Sequence, residues 1–298
     1  MNSKKILVTG AGGYIGRYVV STLLDFGMSV TAVDIRTEGI DERAESLQYD
    51  IFNGKESIYT DLGEPDVCLH LAWRDGFVHN SNAHMEYLYD HYVFAKNMVE
   101  GGLRQFAALG SMHEVGYHEG AIDENTGCNP KSLYGIAKNA LRQSLQLLSE
   151  QEKFCFQWLR GYYIMGDDLK NHSIFTKILE AEKEGKEFFP LNLGTNQYDF
   201  ITIENMAREI ALTVIQDEVS GVINCCTGNP VSLKNKVEEF IAERNLAIRP
   251  QYGVFPERSY DSPIVYGDTK KISAIIMNAK GNQEVEHAVS VLKEIVAK

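Results

Sequence analysis

The chain has 298 residues and a mass of 33.5 kDa, enough for one large α/β domain or two unequal lobes around a substantial core. Its formal charge of −12 sets long-range repulsion against nucleic acid and anionic membranes, while still permitting a local basic pocket for a diphosphate. Five scattered cysteines (Cys68, Cys128, Cys155, Cys225 and Cys226) show neither C-x-x-C nor paired metal spacing, so free thiols and no metal site are expected.

The chain enters a strand almost at once, without a signal peptide. It has no apolar run long enough to span a bilayer, so a cytoplasmic protein is expected. Lys4 to Asp34 reads as strand, tight turn, helix and strand. The apolar run Ile6-Leu7-Val8 is followed by Gly10, Gly12, Gly13 and Gly16, then by apolar Ile15, Val19 and Leu23 at helical spacing, a second apolar run and Asp34. Glycines in such a turn let the backbone approach a pyrophosphate and the helix approach the sheet. The helix N-terminus would add free N–H groups and the positive end of its dipole. An ordinary βαβ turn is the plainer alternative.

The spacing Gly10-x-x-Gly13-x-x-Gly16 within TGAGGYIG resembles the extended short-chain dehydrogenase/reductase family, in its NAD-dependent epimerase/dehydratase (nucleotide-sugar) group. The resemblance implies an α/β fold: a Rossmann doubly wound parallel sheet with a smaller C-terminal α/β substrate lobe. It implies that Gly10, Gly13, Tyr14, Ile15 and Gly16 hold a dinucleotide, with Asp34, Ile35 and Arg36 around the adenosine ribose. Asp34 favours NAD, because a 2′-phosphate would meet its charge; Arg36 keeps NADP possible.

A short strand near 47–49 ends at Asp50. With Ile51, Asp50 is implied to approach the adenine, against the alternative of a solvated turn acid. Val67 to Ala72 reads as a buried parallel strand. By resemblance its Leu71 and Ala72 lie along the cofactor, while His70 reads as structural. Residues 83–103 predict one long helix ending at Gly101-Gly102, with His91 where many relatives have Asn. Gln105 to Leu109 predicts the next strand, running into the loop 110–115 at the carboxyl edge of the sheet, where open α/β folds bind ligands.

Pro130 opens a further helix, with Asn129 a candidate N-cap. On it Tyr134 and Lys138 are four apart and share a face. A phenol of pKa about 10 is a poor base at neutral pH, and a nearby ammonium would favour its phenolate. At the distance where the family carries this pair, Tyr134 and Lys138 are the expected catalytic residues and cofactor contacts. The family's third member is a Ser or Thr, but the equivalent register here is Met112, which donates no such bond. Ser111 turning in, His113, Glu114 or a water are the alternatives. His113 would titrate near neutrality. Ser111 and His113 are therefore further catalytic candidates, with Met112 and Glu114 on the substrate side.

A strand at 154–159 leads to Arg160 and to Tyr163, where relatives often have a substrate-binding Asn. The chain then leaves simple strand–helix alternation. Gln197 to Ile201 resembles a later family strand, and Arg258 in Phe255-Pro256-Glu257-Arg258 resembles the arginine that pairs with a substrate diphosphate. Tyr163 and Arg258 complete the substrate-binding candidates. Residues 1–165 are expected to form the dinucleotide-binding domain, with about 198–228 returning to it and 166–298 mainly forming the substrate lobe.

The implied function is an NAD(P)-dependent nucleotide-sugar oxidoreductase at a hexose C4, either a 4-epimerase or a 4-keto-sugar reductase. A 4,6-dehydratase and a non-catalytic sensor or scaffold are the alternatives. The expected partners are a nucleotide-diphosphate sugar and a second copy of the chain, through the helices at 83–103 and 132–150.

Overall fold

The computed structural model describes residues 4–166, 171, 173–256 and 261–296. Arg258 lies outside the described residues. The strands in chain order are β1 (Lys5–Thr9), β2 (Ser29–Asp34), β3 (Glu45–Gln48), β4 (Val67–His70), β5 (Gln105–Ser111), β6 (Gly120–Ile122), β7 (Cys155–Gly161), β8 (Tyr163–Met165), β9 (Phe188–Pro190), β10 (Gln197–Thr202), β11 (Gly221–Cys225), β12 (Pro230–Ser232), β13 (Arg249–Gln251) and β14 (Ile264–Gly267). Seven of them make one parallel sheet in the order β11-β7-β5-β4-β1-β2-β3. This is the Rossmann-like α/β arrangement. The strand order reverses between β1 and β4, which opens a crevice at their carboxyl ends.

Alternation along β1 explains why its sequence is apolar throughout. Ile6 and Val8 face one core with the helices Tyr14–Asp25 and Ile203–Val214, whereas Leu7 faces the other with Leu88–Gly101 and Leu133–Glu152. Cys225 and Cys226 fall into separate clusters in the same way, and all five thiols are free.

The remaining strands form a sheet β12-β10-β14-β6, with β8 added on β10, and a small β13-β9 pair. Three local expectations change. The helix expected over 83–103 is broken into Ala83–Glu86 and Leu88–Gly101 at Tyr87, whose ring packs under the Arg74 guanidinium. Asn129 is not a cap: the helix starts at Leu133, where the Ser132 hydroxyl accepts from Gly135 N at 3.1 Å. Finally, the helices Lys270–Asn278 and Gln283–Val296 pack not with the later lobe but in the same core as β1. Ile272, Ile276, Val285 and Leu292 are buried there.

Candidate active site

The glycine turn is built by close approach. Gly10 has φ +70°, and a Cβ on it would lie 2.6 Å from Ala72 N. One on Gly12 would lie 2.5 Å from Arg36 O, and one on Gly16 2.2 Å from Gly10 O. Gly13 is the N-cap of the helix Tyr14–Asp25 and brings neither a side-chain bond nor a first-turn acid, so the helix itself supplies no negative charge to its positive end. The Asp34 carboxylate bends over the turn and accepts from Gly12 N at 3.0 Å and Arg36 N at 3.1 Å. Ile35 and Arg36 are exposed. Leu71 N donates to Thr9 O at 3.1 Å, which holds the end of β4 beside the turn.

Ile15 packs partly buried against the core beneath the turn. The Tyr14 hydroxyl is covered by the chain at Gly166 and accepts from Asn171 Nδ2 at 3.1 Å. Asp50 is exposed and accepts from Phe52 N at 3.0 Å, closing its own turn, while Ile51 is buried.

Tyr134 and Lys138 project from the helix Leu133–Glu152 toward the carboxyl end of β5. The loop before Ala83 is bolted to the start of that helix: Leu133 N donates to Asn80 Oδ1 at 3.2 Å and Tyr134 N to His79 O at 2.9 Å. Together with Ser132, these acceptors satisfy three of its first N–H groups. Tyr134 is ringed by aromatic groups. His79 stacks on it at 5.4 Å, His84 lies at 5.3 Å, Trp73 at 6.0 Å and His113 at 6.3 Å. Burial pushes its phenol up to about 12, while a hydrogen bond with the Ser111 side chain pulls the other way.

Lys138 is buried, and burial lowers it to about 7 against the pull of Glu114. Its Nζ donates to Leu109 O at 2.7 Å and sits 3.6 Å from the centre of the Trp73 ring. It lies 5.8 Å from the Tyr134 ring. In this geometry burial, not the ammonium, governs the phenol.

At the end of β5 the hydroxyl that meets Tyr134 belongs to Ser111, and Met112 corrects the expectation of a substrate-facing residue. It packs into a core with Val115, Ile122, Tyr162, Cys226 and Val265. Glu114 corrects a second one. It is fully buried, accepting from Arg160 Nε at 2.7 Å and Trp158 Nε1 at 2.8 Å, so it faces away from the crevice. His113 does reach the crevice, half-buried between His79 at 4.5 Å and Tyr163 at 6.3 Å. Burial lowers it to about 4, well below the neutral range expected from its type.

Two groups around the pair are not expected as such from the sequence, although His70 reads as structural there and His91 as a departure from the relatives' Asn. Trp73 and His79 come from a loop with no motif, and His84 from the short helix Ala83–Glu86 that follows it. Behind Lys138, Thr9 Oγ1, His70 and His91 join through two contacts of 2.8 Å, both imidazoles being buried and held neutral by burial.

The family model described as the NAD dependent epimerase/dehydratase family matches residues 6–226. The chain belongs to that family. The dTDP-6-deoxy-L-talose 4-dehydrogenase (NAD(+)) of Aggregatibacter actinomycetemcomitans is 49% identical over 267 residues, covering 88% of this chain and 98% of that protein. A UDP-glucose 4-epimerase of Corynebacterium glutamicum is 22% identical over 259 residues, 78% of each chain.

Among solved structures, the UDP-N-acetylglucosamine 4-epimerase of Methanobrevibacter ruminantium M1, in complex with UDP-N-acetylmuramic acid, matches with a TM-score of 0.80 at 20% identity. It covers 100% of this chain and 98% of its own. A UDP-glucuronic acid 4-epimerase of Bacillus cereus, in complex with UDP-glucuronic acid and NAD, matches with a TM-score of 0.75 at 18% identity, covering 97% and 99%. These likenesses establish the shared fold. As a member of an NAD-dependent family, the chain has residues that fit the cofactor: the space a Cβ would fill at Gly10, Gly12 and Gly16, a helix N-terminus with no acid in its first turn, and the Asp34 carboxylate.

Proposed function

We propose that this NAD-dependent nucleotide-sugar oxidoreductase works at C4 as a dehydrogenase or 4-keto reductase of a dTDP-6-deoxyhexose. The observation that carries the choice is the 49% identity to a dTDP-6-deoxy-L-talose 4-dehydrogenase over 98% of its length. The site geometry supports it: the Ser111 hydroxyl stands beside Tyr134 at the crevice and lowers its phenol, with Lys138 one helical turn away.

In oxidation, Tyr134 takes the proton of the C4 hydroxyl while Ser111 holds that oxygen. Bound NAD supplies the acceptor for the hydride that leaves C4. Lys138, lowered to about 7 by burial, stands one helical turn from the phenol, where its protonated form favours the phenolate needed once substrate and cofactor are bound. Gly10, Gly13, Tyr14, Ile15, Gly16, Asp34, Ile35, Arg36, Leu71 and Ala72 are the proposed cofactor-binding set. Asp50 and Ile51 close its adenine side. His113 and Tyr163 face the sugar from the opposite wall. Glu114, engaged by Arg160, is not free to serve as the acid or base of a 4,6-dehydration.

The proposed division assigns 1–165, the segments about 198–228 and the helices Lys270–Asn278 and Gln283–Val296 to the cofactor unit. The rest of the chain beyond 166 forms the substrate lobe. A homodimer is proposed through the helices Leu88–Gly101 and Leu133–Glu152, where Tyr89 is 72% and Leu147 60% exposed. No helix among the described residues is long and apolar enough to cross a membrane. The free thiols support a reducing cytoplasm.

Incubation of purified protein with NAD and a dTDP-6-deoxyhexose, followed by NADH absorbance and by sugar analysis, tests the proposal. Stoichiometric NADH with a 4-keto product is expected. Tightly retained NAD and a C4-inverted product without free NADH would establish an epimerase instead.

A further inference from the structure

Oxidation at C4 leaves one proton on the enzyme for every NADH formed, and Tyr134 must lose it before the next turnover. The surroundings of Tyr134 differ sharply on its two sides. On the inner side Lys138 is committed to Leu109 O and covered by Trp73. Beyond it the Thr9–His70–His91 chain turns back on the protein, because Thr9 Oγ1 accepts from Ala72 N at 3.4 Å. Both imidazoles of that chain are buried and resist protonation.

On the outer side three imidazoles approach Tyr134 from three elements. His84, on Ala83–Glu86, has both ring nitrogens engaged: Nδ1 accepts from Trp73 Nε1 at 3.1 Å, and Nε2 donates to Val78 O at 3.0 Å. His113 and His79 have ring nitrogens without a hydrogen-bond partner among the described residues. Of the two, His113 is half-buried whereas His79 is exposed. The His79 ring lies parallel to the Tyr134 ring, 11° apart in plane and 5.4 Å between centres.

This placement is built rather than incidental. The His79 carbonyl caps Tyr134 N, and the neighbouring Asn80 side chain caps Leu133 N. The loop itself is closed by Ser81 Oγ donating to Asp75 at 2.6 Å, and by Val78 N and Ser81 N within its own turns.

We propose that His79 is the solvent-side proton carrier for Tyr134. This inference rests on the reading of Tyr134 as the base for the C4 hydroxyl. The Tyr134 O–H bond breaks, a water passes the proton to an imidazole nitrogen of neutral His79, and the imidazolium returns it to bulk solvent. The groups that face His79 are Tyr134, His84 and His113, so no carboxylate among these faces would hold the imidazolium. Its affinity for a proton is lowered by partial burial and by His84, which favours prompt release.

The test follows protons and NADH together after rapid mixing of wild type, His79→Ala and His79→Gln with NAD and a dTDP-6-deoxyhexose, in weak buffer with a pH-indicator dye. In wild type the proton is expected to appear in step with NADH. In both variants the first NADH should form at the wild-type rate, while proton release and later turnovers slow by about tenfold or more. Added imidazole should restore them. Protons in step with NADH in both variants, with no response to imidazole, would overturn the proposal. Tyr134→Phe separates the two levels: full activity in that variant removes the base on which the inference rests, whereas its loss beside unaffected His79 variants removes His79 alone.

Discussion

Glu114 and Arg160 form an ion pair at 2.7 Å in which both side chains are sealed from solvent. The pair fixes the turn Met112–Glu114, and so the end of β5 where Ser111 meets Tyr134. Removing one partner leaves an uncompensated buried charge, which costs about 3–5 kcal/mol. Arg160→Met and Glu114→Gln should each lower the urea midpoint by a corresponding amount. A double variant that loses much less than the sum of the singles would show that the pair acts as a unit; strict additivity would contradict it.

Gly10 combines a positive φ with a Cβ position occupied by the backbone of Ala72 and Leu71. Gly10→Ala should therefore lower the melting temperature and weaken NADH binding, measured by fluorescence titration, by at least about tenfold, since a shift of about 1.4 kcal/mol already gives that factor. Gly39→Ala, in open space though also at positive φ, serves as the control for strain without crowding and should bind NADH normally.

Ser111 and Met112 make opposite predictions although they are neighbours. Ser111→Ala should reduce kcat by about 10²-fold with little loss of stability, the effect of losing one donor to a reacting oxygen. It should also move the ascending limb of the pH profile for oxidation to higher pH, because Ser111 holds the Tyr134 phenol down. Met112→Ala should keep kcat but cost about 2–5 kcal/mol of stability by opening its core. The reverse pattern would restore the register expected from the family.

Glu209 is fully buried on the helix Ile203–Val214, with neither carboxylate oxygen in a well-formed hydrogen bond among the described residues. Burial, and then Asp199, raise its pKa well above the ordinary 4.5. The native state thus keeps a proton that the unfolded chain gives up as pH rises past 4.5, so this group makes stability fall with rising pH over that window. Glu209→Gln should be more stable than wild type at about pH 8, with the difference vanishing toward about pH 4 in denaturation series. A constant difference at all pH values would refute the assignment.

The parts of the fold legible in the sequence are those set by local rules. Ile6-Leu7-Val8 and the crowded Gly10 and Gly16 specify strand, turn and helix within a dozen residues, and the spacing of Tyr134 and Lys138 places them on one helical face. What escaped depends on distant partners or on one residue of phase. β5 stays extended to Ser111 (φ −151°, ψ 145°) before it turns, and in a strand one residue decides between opposite faces. That phase separates Ser111 from Met112. Glu114 looked like a site acid because Arg160, its partner, arrives 46 residues later. His79 had no signal, since a carbonyl that caps a helix 55 positions onward leaves no mark on side-chain pattern.

The helix Gln283–Val296 completes the core that the first helix also lines, and Asn282 Nδ2 donates to Asp25 O at 2.8 Å, which bears on how the protein is made. The glycine turn is synthesised long before Gln283–Val296, yet the core beneath it stays open until Val285 and Leu292 have been added. A nascent chain stalled anywhere in the lobe would expose the apolar flank of its own dinucleotide site. Competence to bind NAD should thus arise in one step, once Leu292 is free to pack.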